Sequence, residues 1–145
     1  MRSFKASVMI HADKETIWSL LTTPNGFLEW FVGLDTCKAT PNFPAVGESL
    51  AWTYKLLAAE LKGTNTLVEV KPNEVLRYKL EGLMNGTMDY VLADTPDGVK
   101  LEFSTNYTMS GGVFGRLAEP VAHQTNVENA KKSLMNLKRM SEAEG

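Results

Sequence analysis

A chain of 145 residues, 43% of them hydrophobic, suffices to bury one core and is expected to form a single domain, residues 1–145. Its 15 basic and 17 acidic residues leave a net charge of −2 with no run of either sign, which argues against nucleic acid as a partner and against a polybasic membrane anchor. The lone cysteine, Cys37, excludes an intramolecular disulfide and any multi-cysteine zinc site.

No charged-then-apolar leader opens the chain, and no apolar run nears the ~18 residues of a spanning helix, so a cytoplasmic protein without stable membrane insertion is expected. Phe4, Ala6, Val8 and Ile10 alternate with mostly polar residues, the pattern of a half-buried strand. The period then changes: Asp13 is placed to cap a helix that carries Ile17, Trp18, Leu20 and Leu21. Thr23-Pro24 starts a second short helix, because proline at the first helical position gives up an N–H that has no partner there. Phe27, Leu28 and Trp30 lie on it before a turn at Gly33.

From about Leu34 the period is that of strands, expected at 35–40, 49–58, 61–70, 75–83, 86–93 and 99–109 and separated by Pro, Gly and Asn turn signals. The last of them alternates Leu101, Phe103, Thr105, Tyr107 and Met109 with Lys100, Glu102, Ser104, Asn106 and Thr108. Such alternation means one wet and one covered face, which favours antiparallel pairing.

Residues 112 to about 140 form one long helical pattern with an apolar stripe at Val113, Leu117, Val127, Ala130, Leu134 and Leu137. The second half of the stripe is well stocked. Its first half is thinned by Gly112, Gly115, Ala118 and Ala122 and interrupted by Pro120, His123 and Gln124. At ~1.5 Å per residue a helix of roughly 28 residues spans about 42 Å, against ~30 Å for a nine-residue strand, so the sheet must curve around it. Such a helix covers the sheet closely at one end and leaves room at the other. Whether Pro120 kinks it is open at this stage.

The segment Val8-Met9-Ile10-His11-Ala12, running on through Asp13-Lys14-Glu15-Thr16-Ile17-Trp18 to Trp30, resembles the opening of the START-like superfamily, also called SRPBCC. The closing stretch from Asn129 to Lys138 is similar to the last helix of that group. The resemblance implies an α+β helix-grip fold: a strand, two short helices, a curved antiparallel sheet of about six strands and a long C-terminal helix. It also implies a cavity between sheet and helix that holds an apolar or amphipathic small molecule. Lipid carriers, polyketide aromatase/cyclases, ring-hydroxylating oxygenase domains and chaperone activators share the fold, so fold alone does not choose a function.

The residues narrow the choice. Trp52, Tyr54, Tyr78, Tyr90, Phe103 and Tyr107 fall on the covered face of the sheet, opposite the thin half of the helix, where Leu117 also belongs. Tyrosines suit an apolar pocket while their hydroxyls orient a ligand. Steps of three or four from Leu137 through Leu134, Ala130 and Val127 reach His123, with Gln124 beside it, so the imidazole is expected to face inward as a hydrogen-bonding group or base. His11, in the opposite frame from Val8 and Ile10, is given no role, and Trp30 is a candidate for the mouth. Cys37 is expected to be a packing residue or a sheet-face bystander and not a nucleophile.

Glu69, Glu81, Asp89 and Glu102 fall in the outward frame, so no acidic pair faces the cavity. The two histidines are not spaced for a metal, no Gly-rich phosphate loop follows a strand, and neither metal nor cofactor is expected. The first functional expectation is binding of a hydrophobic or aromatic small molecule, such as a lipid or polyketide-like compound. The alternatives are an aromatase/cyclase in which His123 and Tyr90 or Tyr107 move protons, and a partner-binding module like the chaperone activators. Oligomeric state is not legible at this level.

Overall fold

The computed structural model describes residues 1–56, 59–110 and 112–144, and the side chains of these apart from positions 56, 59 and 112–118. The chain runs β1 (Arg2–Ile10), α1 (Lys14–Thr22), a 3-10 turn (Pro24–Gly26), α2 (Phe27–Trp30), β2 (Leu34–Ala39), β3 (Ser49–Leu56), β4 (Ala59–Lys71), β5 (Val75–Gly82), β6 (Met84–Thr95), β7 (Gly98–Met109) and α3 (Gly112–Glu144). Asp13 caps α1, its carboxylate accepting from the Thr16 amide at 2.9 Å and the Thr16 hydroxyl at 2.6 Å. Those two bonds hold its carboxyl below the ordinary carboxylate range.

All seven strands form one antiparallel sheet in the order β1-β7-β6-β5-β4-β3-β2. This is the expected α+β helix-grip architecture: six strands follow the two short helices, and β1 completes the sheet by pairing with β7. Bulges interrupt the ladder between Leu34 and Thr36 on β2 and between Leu67 and Glu69 on β4. Each adds local bend and twist, which is how the sheet curves around α3. Arg77, in the outward frame of β5, bridges Glu69 at 2.5 Å and Asp89 at 2.9 Å across three strands. This ion-pair row lies on the sheet face away from α3.

Strand β4 begins two residues earlier than the alternation suggests and β6 runs from Met84 to Thr95, through Gly86, because ladder bonds on both sides hold a glycine that local preference would break. Helix α3 is continuous across Pro120, which is exposed, and ends at Glu144 rather than near Met140. Its inward face is also turned slightly from expectation. Asn126 and Ala122 lie beneath it in steps of four from Ala130, while Val127 is only half-buried, because at 3.6 residues per turn a three-residue step drifts off the stripe.

The core is densest where α1, α2 and the C-terminal half of α3 meet the sheet: Ile17, Leu21, Trp30, Leu76, Leu101 and Leu137 are each at most 1% exposed. Trp30 is a core anchor and not a mouth residue. Its indole donates to the Leu20 carbonyl at 3.3 Å and Asn136 donates to its carbonyl at 3.2 Å, so both ends of the residue are tied inside. Trp18 packs half-buried against the same core.

Candidate functional site

Between the concave sheet face and α3 lies a cavity of about 100 Å³. Trp52 and Tyr54 from β3, Tyr78 from β5, Tyr90 from β6 and Phe103 and Tyr107 from β7 all line it, because successive inward positions on each strand meet the same space. Two glycines shape its wall. A Cβ at Gly63 would lie 2.3 Å from the Trp52 ring, and one at Gly33, where φ is +93°, would lie 2.5 Å from the Tyr54 ring. Both rings therefore occupy space that a side chain at these positions would need.

The polar groups of the wall are mostly committed to one another. Trp52 Nε1 donates to Asn65 Oδ1 at 2.7 Å, and Asn129 Nδ2 donates to the Tyr54 hydroxyl at 2.6 Å. Asn126 Nδ2 donates to the Tyr107 hydroxyl at 3.0 Å, and the same hydroxyl shares a hydrogen bond with His123 Nδ1, 2.7 Å away. Thr105 donates to the Thr87 carbonyl at 2.9 Å. Tyr78 differs: its hydroxyl is buried with no hydrogen-bond partner among the described residues.

His123 stands behind Tyr107 and is not itself part of the cavity wall. Burial, and then the Arg2 cation, lower its pKa below the ordinary imidazole value, with Glu119 opposing them; Arg2 and Glu119 are themselves paired at 3.1 Å. Gln124 is exposed and does not line the cavity, since it is two positions from Ala122 and so projects from the side of α3. The Leu117 side chain lies outside the described residues.

Sequence reasoning left out several wall residues. Cys37 faces the cavity because β2 pairs in a register that sets it opposite Trp52. Asn65 shares the inward frame of Leu61 and Leu67 on β4, so alternation alone would have placed it there. Phe27 and Phe31 come from the α2 region, and Met84 and Met88 from β6.

No charged side chain lines the cavity among the described residues. Burial pushes the Cys37 thiol up to about 11. Burial also raises the Tyr78 and Tyr90 phenols above their ordinary range, with a smaller push from neighbouring charge, that of Tyr90 and Cys37 at Tyr78 and that of Cys37 at Tyr90. All three are thus neutral donors at neutral pH, and Cys37 is not a thiolate nucleophile. Among the described residues no group of three or more His, Cys, Asp or Glu side chains is placed to hold a metal ion, and no helix is long and apolar enough to cross a membrane.

A curved antiparallel sheet gripping one long helix, with an aromatic cavity between them, defines a ligand-binding domain of the helix-grip, SRPBCC class. The profile of the polyketide cyclase/dehydrase and lipid transport family matches residues 1–142, and the chain belongs to that family. Among solved structures it is similar to TTHA0849 from Thermus thermophilus, with 15% identity, 99% of each chain covered and a TM-score of 0.84. It is also similar to the di-domain ARO/CYC StfQ of the steffimycin biosynthetic pathway, with 13% identity, 98% of this chain and 51% of that one covered, and a TM-score of 0.79. The Aha1 dimer of Colwellia psychrerythraea shares the fold at 18% identity, 98% and 97% coverage and a TM-score of 0.66. No curated protein matches the chain in sequence.

Proposed function

We propose that the protein binds a small apolar or aromatic molecule in the cavity beneath the N-terminal half of α3, with Trp52, Tyr54, Tyr78, Tyr90, Phe103 and Tyr107 as its contacts. The observation that carries this reading is a partly open, aromatic-lined cavity with a buried phenol in its wall that has no partner among the described residues. Volume sets the scale of the ligand. An apolar cavity of ~150 Å³ takes up benzene, whereas drug-sized ligands occupy ~300 Å³ or more. The present ~100 Å³ therefore suits one ring or a short chain, and a whole lipid or a multi-ring polyketide needs the wall to open further.

Native mass spectrometry of the protein purified from its source tests the proposal. A bound molecule that organic extraction removes is expected. Protein that arrives empty and is not stabilised by any of a panel of one-ring aromatics and short- and long-chain lipids would exclude it.

A second reading is favoured by one specific contact, the 2.7 Å bond between the Tyr107 hydroxyl and His123 Nδ1. Tyr107 lines the cavity, so its phenol, hydrogen-bonded to the His123 imidazole behind it, would serve as the proton-donating group of an aromatase/cyclase-type reaction. Turnover of a poly-β-ketone thioester that falls on His123→Ala replacement supports this reading, and unchanged turnover removes it.

A further inference from the structure

Two buried side-chain polar atoms lack a hydrogen-bond partner among the described residues, the Tyr78 hydroxyl and the Ser141 hydroxyl, and of these residues only Tyr78 lines the cavity. Tyr78 is 1% exposed, and its ring meets Tyr90 edge-on with centroids 6.4 Å apart. Most other polar groups of the wall already have partners within the protein: Trp52 has Asn65, Tyr54 has Asn129, Tyr107 has Asn126 and His123, and Thr105 has Thr87, while the Tyr90 hydroxyl and the Cys37 thiol are bonded to no described residue but are not wholly shut off. Of the wall donors without a partner among the described residues, Tyr78 is the one whose hydroxyl is wholly shut off from water, so it has the most to gain from an acceptor on a guest.

A buried O–H with no partner is costly, and an acceptor oxygen delivered by a ligand removes that cost. A carboxylate is a poor deliverer. Among the described lining residues no Lys, Arg or His offsets its charge, and a carboxylate taken from water into an apolar site without a counter-ion forfeits its hydration. An ammonium meets the mirror problem, since no Asp or Glu lines the wall among the described residues. Aromatic faces attract cations, but that attraction is small beside the loss of hydration.

Resting on the cavity-binding reading, we infer that the ligand is uncharged and carries a carbonyl or ether oxygen that accepts a hydrogen bond from Tyr78, while its apolar remainder lies against the aromatic wall. Fatty acids in ionised form are thereby disfavoured, and neutral ketones, esters or ethers are preferred.

Four isosteric or near-isosteric one-ring probes test this on the intact chain: acetophenone, cumene, benzoate and phenyltrimethylammonium, with affinities measured by calorimetry at neutral pH. Acetophenone is expected to bind about tenfold more tightly than cumene, the worth of one net hydrogen bond, and both charged probes more weakly than either. Tyr78→Phe should remove that preference and leave cumene binding within about twofold. The infrared carbonyl band of acetophenone bound to the unaltered protein gives a second readout independent of any variant. It should move to lower frequency, as in an alcohol, and a band at its hexane position overturns the inference. Benzoate or the ammonium binding as tightly as acetophenone also overturns it, as does an acetophenone preference that survives Tyr78→Phe. If cumene and acetophenone both fail to bind, the cavity-binding reading itself fails, and the inference falls with it.

Discussion

Between Ala130 and Ser141, α3 rests on the core through Leu134 and Leu137, side chains that share one apolar cluster with Ile17, Leu21, Trp30 and Leu101. Between Glu119 and Asn129 the apolar contact of the same helix shrinks to the small Ala122, and larger side chains make polar contacts: Asn129 to Tyr54, Asn126 and His123 to Tyr107, and Glu119 to Arg2. Beyond Ala130, which still borders the cavity, the former stretch is fastened by close packing. The latter is fastened by hydrogen bonds at the tips of long side chains, which hold helix and sheet apart and leave the space between them. A cavity survives in this fold because its roof is pinned at a distance from the sheet.

Replacing an anchor in the packed half should therefore cost the most. Leu137→Ala, at a site fully removed from solvent, is expected to destabilise the protein by about 2–5 kcal/mol in denaturant unfolding. A loss below ~1 kcal/mol would show that this half is not the anchor.

Cutting a polar tie should cost less and act elsewhere. Asn129→Ala removes the donor to Tyr54, a loss of about 1–1.5 kcal/mol that the better helix propensity of alanine offsets by roughly 0.5. The net change in unfolding free energy is expected at about 0.5–1 kcal/mol, with faster ligand release, as read by stopped-flow dissociation. Unchanged release would mean that the tie does not hold the roof.

The smallest effect concerns pH. His123 has a folded-state pKa below its ordinary 6.5, so the unfolded chain binds the proton more readily. Its contribution to stability is full above 6.5, declines as pH falls from there, and levels off below the depressed folded pKa. His123→Gln should flatten that part of the stability profile, measured by unfolding at several pH values, because glutamine does not titrate. A profile unaltered by the replacement would remove His123 as its source.

Much of the sheet was legible because a period of two leaves little choice: the alternation through Leu101, Phe103, Thr105 and Tyr107 fixes which residues turn toward α3, as does Leu76, Tyr78 and Leu80 on β5. The packed half of α3 was legible for the same reason, with Leu134 and Leu137 carrying the stripe. Partnerships formed across long sequence separations were not. Nothing local to Cys37 says that β2 will set it opposite Trp52, and nothing near Trp30 says that Asn136 will hold its carbonyl inside the core. On the thin half of α3, where few large apolar residues fix the helix phase, a step of three and a step of four choose between Val127 and Asn126. Packing against the tyrosines selected Asn126.

Gly63 does not border the cavity, yet the Trp52 indole lies where its side chain would otherwise be. The shape of the chamber is thus set partly from β4 by a missing methyl group: adding one would force the indole off its seat and reshape the wall, with no change to any residue that meets the guest.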